Sequence, residues 1–221
     1  MNYLCVIAAG GSGSRFGSIV PKQFLPLGDG SPVLHHAARR LTAALADRGE
    51  VTLVTVIDPG RDDMAPAGSR TAAPGATRWE SVRNALEATA DVPADVILVH
   101  DGARPLPSAR LIRETAEACL EHDGAIPVVA VTDSLRRSDG SPANRAEFRA
   151  VQTPQAFRAD LLREAYRLPY REEFTDDASV MSAAGFTDIA LTPGDPDNIK
   201  ITLPRDLKIA EIILAERGDL D

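Results

Sequence analysis

Short apolar runs alternate with amphipathic stretches of helical period along most of this chain. That alternation constrains the fold more than any single motif does. The run "YLCVIAA" (3–9) reads as a buried strand. "SPVLHHAARRLTAALA" (31–46) reads as a helix: Ser31 is placed to cap it, Pro32 suits the first turn, and Leu34, Ala37, Ala38, Leu41 and Leu45 share one face. A strand "VTLVTVI" (51–57), a helix from about Arg78 to Ala90, a strand "DVILVHD" (95–101) and a helix "SARLIRETAEACLEH" (108–122), capped by Ser108, come next. The strand "GAIPVVAV" (124–131) contains Pro127, which predicts an irregularity or an edge position. Strands alternating with helices of about 10–15 residues predict an α/β fold with a mostly parallel sheet flanked by helices.

The alternation breaks at "TDSLRRSDGSPANRAEFRAVQTPQAF" (132–157), a polar stretch with the turn "SDGSP" in its middle. Two flanks around a tight turn predict a hairpin projecting from the sheet, an arm at about 132–152; a plain surface loop fits the same pattern. Beyond it the sequence predicts helices near 158–167 and 176–185, a strand "FTDIALT" (186–192), a short strand at "NIKIT" (198–202) and a last helix over 204–216, with Pro204 and Asp206 in its first turn. Neither a repeat nor a linker divides the chain, so the expectation is a single domain, 1–221, carrying the arm.

With 221 residues, 44% of them hydrophobic and 25% charged, the chain can bury a sizeable core. A net charge of −8 argues against a general nucleic-acid binder, which would carry basic patches. Cys5 and Cys119 lie in apolar or helical patterns and read as buried free thiols; no Cys/His spacing suggests zinc. The first apolar run lacks a basic lead and is too short for a signal peptide or a membrane span, so the expected setting is cytoplasmic.

The stretch "AAGGSGSRFG" (8–17) follows the first strand, where backbone N–H groups of a glycine turn can face an anion. It is not a Walker A loop, because no Gly-Lys-Ser/Thr follows, and it is a poor dinucleotide fingerprint, because Phe16 stands where the third glycine belongs. Arg15 and Lys22 around such a nest suit a triphosphate, since both can offset charge on an α-phosphate and a departing pyrophosphate. A glycine turn that is merely a tight connection remains compatible with the loop alone. In "VHDGARPLP" (99–107), Asp101 ends a strand where ligands bind in open α/β sheets; it can hold Mg2+, and Arg104 can pair with a phosphate. "PDNIKIT" (196–202) places Asp197 as a second candidate metal ligand and Lys200 as a phosphate clamp; a surface salt bridge fits those two residues equally. "VQTPQAF" (151–157) sets Thr153 and Gln155 in a constrained turn, preceded by Arg145 and Arg149.

Taken together, "AAGGSGSRFG…PKQFLPL", "HDGARPL", "VQTPQAF", "TDDAS" and "DNIKIT" resemble, in order and spacing over nearly the whole chain, the 2-C-methyl-D-erythritol 4-phosphate cytidylyltransferase family. Ribitol-5-phosphate cytidylyltransferases are its close relatives. The resemblance implies a Rossmann-like domain whose projecting β-arm interlocks a homodimer. It implies transfer of a cytidylyl group from CTP to a polyol phosphate with Mg2+, in isoprenoid precursor synthesis. By motif position it makes Arg15, Lys22 and Lys200 the catalytic cations. Ala8, Ala9, Gly10, Gly11, Ser12 and Gly13, with Asp101 and Gly102, fall on the nucleotide. Gly75, Arg78 and Ser81 in "GATRWESV" fall on its cytidine side. Asp101 also falls on the alcohol substrate and near the metal, and Ser134, Arg145 and Thr153 on the polyol phosphate, some of them in the neighbouring subunit's site.

The acceptor stays open at this point. The glycine loop is one residue longer than the form associated with methylerythritol enzymes and nearer the ribitol-phosphate relatives, whereas "RWESVRNAL" and "TDDAS" lean the other way. A nucleotide-binding regulatory protein that keeps the fold without the chemistry is the alternative of another class. No catalytic histidine is expected, because the attacking phosphate oxygen is already anionic; His100 reads as a core or backbone-positioning residue.

Overall fold

The structure, a computed structural model, describes residues 1–10 and 20–217. Strand β1 (Asn2–Ala8) is followed by the short paired strands β2 (Pro26–Leu27) and β3 (Ser31–Pro32) and by helix α1 (Val33–Leu45). Then come β4 (Glu50–Val56), β5 (Arg70–Ala72), α2 (Arg78–Ala88), β6 (Val96–Asp101), α3 (Ala109–Ala118) and β7 (Gly124–Ala130). A small hairpin of β8 (Leu135–Arg136) and β9 (Pro142–Ala143) precedes β10 (Arg149–Val151) and β11 (Gln155–Arg158). Helices α4 (Ala159–Ala165) and α5 (Asp177–Ala183), strand β12 (Ile189–Pro193) and helix α6 (Pro204–Arg217) complete the described chain.

Among the described residues the main sheet has eight strands, with β1 at its centre, parallel to β6 on one side and to β4 on the other. Strand β5 extends it beyond β4. On the far side, β11 runs antiparallel between β6 and β7, and β12 closes that edge parallel to β7. Side chains alternate across β1 as a strand's period of two requires. Leu4 and Val6 pack with Trp79, Val82 and Leu86 of α2 and with Val180 and Met181 of α5 on one face. Cys5 and Ile7 pack with Leu34 and Leu41 of α1 and with Ile112 of α3 on the other. Both cysteines are buried and free, as expected. The sheet is therefore mostly parallel and flanked by helices, as the alternation predicts. Among the described residues no helix is long and apolar enough to cross a membrane.

Three local expectations differ from the structure, and the alternative at Pro127 is resolved. Helix α1 begins behind Pro32 with no side-chain cap. Ser31 is drawn into β3 instead, its N–H donating to Asp29 Oδ1 at 2.9 Å. Pro127 is not at an edge, because β7 has neighbours on both sides. It marks the irregularity: its partner on one side changes from β11 to β10 there, and its carbonyl accepts the Gln152 N–H at 2.8 Å, so no ladder needs the missing donor. Residues 198–202 form no strand. Ile201 is buried among Ala210, Ile213 and Leu214 of α6 and gives its N–H to Ala103 O at 2.9 Å, a single pin rather than a ladder. The arm is a hairpin turned at Gly140, whose φ of 85° suits glycine, but 149–151 return to the main sheet as β10, so its projecting part stops short of 152.

Candidate active site

Register sets the site. Ala8 at the end of β1 lies beside Asp101 at the end of β6 and beside Val56 at the end of β4, so these carboxyl ends form one rim. At that rim Ala9 N–H donates to Val56 O at 3.1 Å and Gly102 N–H to Ala8 O at 2.9 Å. Gly10 runs so close to Pro74 that a Cβ there would collide with the proline ring. Gly11, Ser12, Gly13 and Arg15 lie outside the described residues. Lys22 opens a short 3-10 turn, Lys22–Phe24. Gln23 ties that turn to the end of β1 by donating to Ala9 O at 2.5 Å, and Phe24 anchors it in the core. The fold thus fixes Lys22 next to the rim.

Asp101 is 8% exposed and meets three cations. Lys200 Nζ is 2.7 Å from its Oδ2, Arg104 Nε 3.7 Å from the same oxygen, and Arg78 Nε 3.5 Å from its Oδ1. Burial alone would raise its pKa, but Arg78, Lys200 and Arg104 hold it well below the usual carboxylate range. Lys200, half exposed, is aimed at Asp101 by the Ile201–Ala103 bond beside it. Arg104 donates to Asn198 O at 2.7 Å, and Asn198 Nδ2 donates to Thr153 O at 2.9 Å, which ties this segment to the turn before β11.

Arg78 starts α2, whose Thr77 and Glu80 form a reciprocal capping box. Its two terminal nitrogens grip Asp177 at 3.0 and 2.6 Å. Burial works against the guanidinium charge, but Asp177 and Asp101 more than compensate and raise its pKa. Ser81 donates to Thr77 O at 2.9 Å and accepts the Gly75 N–H at 3.1 Å, so its hydroxyl shapes the 75–77 loop. A side chain on Gly75 would strike Glu80.

Thr153 is 6% exposed and faces inward. Its hydroxyl accepts the Asp101 N–H at 3.0 Å and bonds His100 Nδ1 at 3.1 Å, so it positions the Asp101 backbone. His100 Nε2 in turn meets Arg104 O at 2.9 Å, and burial pushes its pKa down to about 4, which leaves it neutral and structural, as expected. Ser134 and Arg145 are exposed on the arm, where Arg145 donates to Thr132 O. Among the described residues, the contacts of the Asp101 carboxylate come from the rim and from 198–201, and none from the arm.

Asp197, the second candidate metal ligand, is in an ion pair with Arg217 at 2.6 Å rather than with Lys200, which pairs with Asp101. Among the described residues no three His, Cys, Asp or Glu side chains gather to hold a metal ion. Asp101 alone still suits Mg2+, which typically takes one or two carboxylates and completes its shell with substrate phosphates and water. The sequence reading does not single out Asp177 or Tyr166 as site residues. "TDDAS" carries the one usable signal for Asp177, and Tyr166 has none. Three cations against two carboxylates leave the cluster positive by one, a charge that favours a phosphate at the rim.

The profile of the 2-C-methyl-D-erythritol 4-phosphate cytidylyltransferase family matches residues 3–216. A curated relative from Porphyromonas gingivalis, named 2-C-methyl-D-erythritol 4-phosphate cytidylyltransferase, is 42% identical over 221 residues, which cover 95% of this chain and 96% of that protein. The "Bifunctional enzyme IspD/IspF" of Granulibacter bethesdensis is 41% identical over 218 residues; these cover 96% of this chain but 56% of the relative, so the chain spans little more than half of that protein. The crystal structure of 2-C-methyl-D-erythritol 4-phosphate cytidylyltransferase from Thermus thermophilus superimposes with a TM-score of 0.78 at 33% identity, covering 97% of this chain and 100% of that one.

Proposed function

The chain belongs to the 2-C-methyl-D-erythritol 4-phosphate cytidylyltransferase family, and from that premise we propose that it joins CTP to 2-C-methyl-D-erythritol 4-phosphate in isoprenoid precursor synthesis. A phosphate oxygen of the polyol phosphate attacks the α-phosphorus of CTP. The bond to the β-phosphate breaks, and pyrophosphate leaves with its electron pair. The nucleophile is already ionised, so no general base is needed; His100 is buried, and its pKa is pushed down to about 4.

The observation that carries this reading is the Asp101 cluster, with Lys200, Arg78 and Arg104 converging on one carboxylate at the strand-end rim. In the proposal, Arg15 and Lys22 stabilise charge on the α-phosphate and the leaving pyrophosphate, and Lys200 clamps a phosphate. Gly75, Arg78 and Ser81 border the cytidine, Ser81 by shaping its loop. Holding two mutually repelling anions in line is the main task, and positioning of that kind can supply about 7–11 kcal/mol. Mg2+, when bound, supplies further neutralisation of phosphate charge, and Asp101 is the residue that would hold it. In the proposal, Ser134 and Arg145 on the arm serve the site of a second copy, and the working unit is a homodimer in the cytoplasm.

Incubation with CTP, Mg2+ and a panel of polyol phosphates tests the reading through pyrophosphate release. Release with methylerythritol phosphate supports it. Release with ribitol 5-phosphate alone overturns the acceptor, and release with none favours a nucleotide-binding protein without the chemistry.

A further inference from the structure

Asp177 is fully buried. A buried carboxylate is costly unless each oxygen is satisfied, and here both are. Oδ1 accepts from Arg78 at 3.0 Å and from the Tyr166 hydroxyl at 2.6 Å, and Oδ2 accepts from Arg78 at 2.6 Å. Its backbone is pinned too: the N–H groups of Asp177 and Ala178 both donate to Gln155 Oε1, at 3.1 and 3.2 Å. Tyr166 stacks on Trp79, the neighbour of Arg78, with ring centroids 5.8 Å apart.

Arg78 uses its terminal nitrogens on Asp177 and turns Nε toward Asp101. A guanidinium is planar and rigid, so gripping its two terminal nitrogens fixes the direction in which Nε points. We infer that Asp177 and Tyr166 are positioning residues for the transfer reaction, acting through Arg78 to fix the Asp101 carboxylate from behind the site. This inference rests on the function proposed above. It assigns a task to the buried carboxylate of "TDDAS".

A double-mutant cycle tests it. Tyr166→Phe removes one hydroxyl and keeps the ring stack on Trp79, so the fold is retained. The expected result is about a tenfold loss of kcat/KM for Tyr166→Phe in the wild-type background, since an ångström of misplacement can cost about a hundredfold. In an Arg78→Met background the same change should cost less than about twofold, because the path is already cut. Asp177→Asn should follow the same pattern. An equal loss in both backgrounds, or no loss in the wild-type background, overturns the inference. Wild-type turnover is measured alongside. If the wild type releases no pyrophosphate with any acceptor, it is the functional reading that fails, and the cycle is then read on CTP affinity, followed by the fluorescence of Trp79, the chain's one tryptophan. Coupling through Arg78 there shows that Asp177 and Tyr166 act on the Asp101 carboxylate through Arg78, and additive losses overturn that path.

Discussion

Lys200 Nζ stands 2.7 Å from Asp101 Oδ2, although the two residues are 99 positions apart in the chain. The contact joins the end of a central strand to the loop before the last helix. It sets a removable cation, half exposed, beside a carboxylate that is almost fully buried.

Lys200→Met should therefore separate activity from stability. An ion pair with one partner this exposed contributes at most about 1 kcal/mol, so the melting temperature should move by only a few degrees. Turnover should fall about 10²–10³-fold, the scale for losing one group that stabilises developing charge. Pyrophosphate release and calorimetry on the same preparation check both halves.

Stability should fall on acidification in two stages. His100 is pushed down to about 4 in the folded chain, against about 6.5 when unfolded, so the unfolded chain binds the extra proton between those values. Its contribution is complete above about pH 6.5 and is lost as pH falls toward 4. Asp101 has a depressed folded pKa, so its contribution is present above about pH 4 and is lost on further acidification. Urea titrations from pH 7 to 3 should show both slopes. His100→Gln should remove the first and leave the second.

Thr153→Val deletes the hydroxyl that accepts the Asp101 N–H and leaves that donor buried without a partner. The expected cost is about 1–3 kcal/mol in urea unfolding, with a fall in kcat as the carboxylate shifts. Thr153→Ser should restore most of both.

Asp197→Asn distinguishes an ion pair from a metal ligand. Its carboxylate faces Arg217 at 2.6 Å, so the change should cost at most about 1 kcal/mol. The divalent-cation concentration for half-maximal rate should stay unchanged. A large rise in that concentration would return Asp197 to the metal site.

Much of this architecture is legible in residue patterns because periodicity reports burial. The alternation of Leu4 and Val6 with Cys5 and Ile7 is the alternation of two cores. Asp101 and Lys200 are legible as chemistry because a carboxylate at a strand end and a lysine in "DNIKIT" have few other uses together. Their 2.7 Å contact is not, since it depends on where Ile201 is pinned. Strand β11 is not legible because "QAFR" is too short to show a period, and the predicted strand at 198–202 fails because Ile201 is buried by a helix rather than by a ladder. Tyr166 reads as an ordinary helix-end aromatic; only the fold brings its hydroxyl to Asp177.

The most direct test of the central claim is pyrophosphate release from CTP and 2-C-methyl-D-erythritol 4-phosphate with Mg2+, compared between the wild type and Lys200→Met. The wild type should turn over with formation of the CDP-alcohol, and the variant should lose at least about a hundredfold. Release by neither protein, or equal release by both, would contradict it.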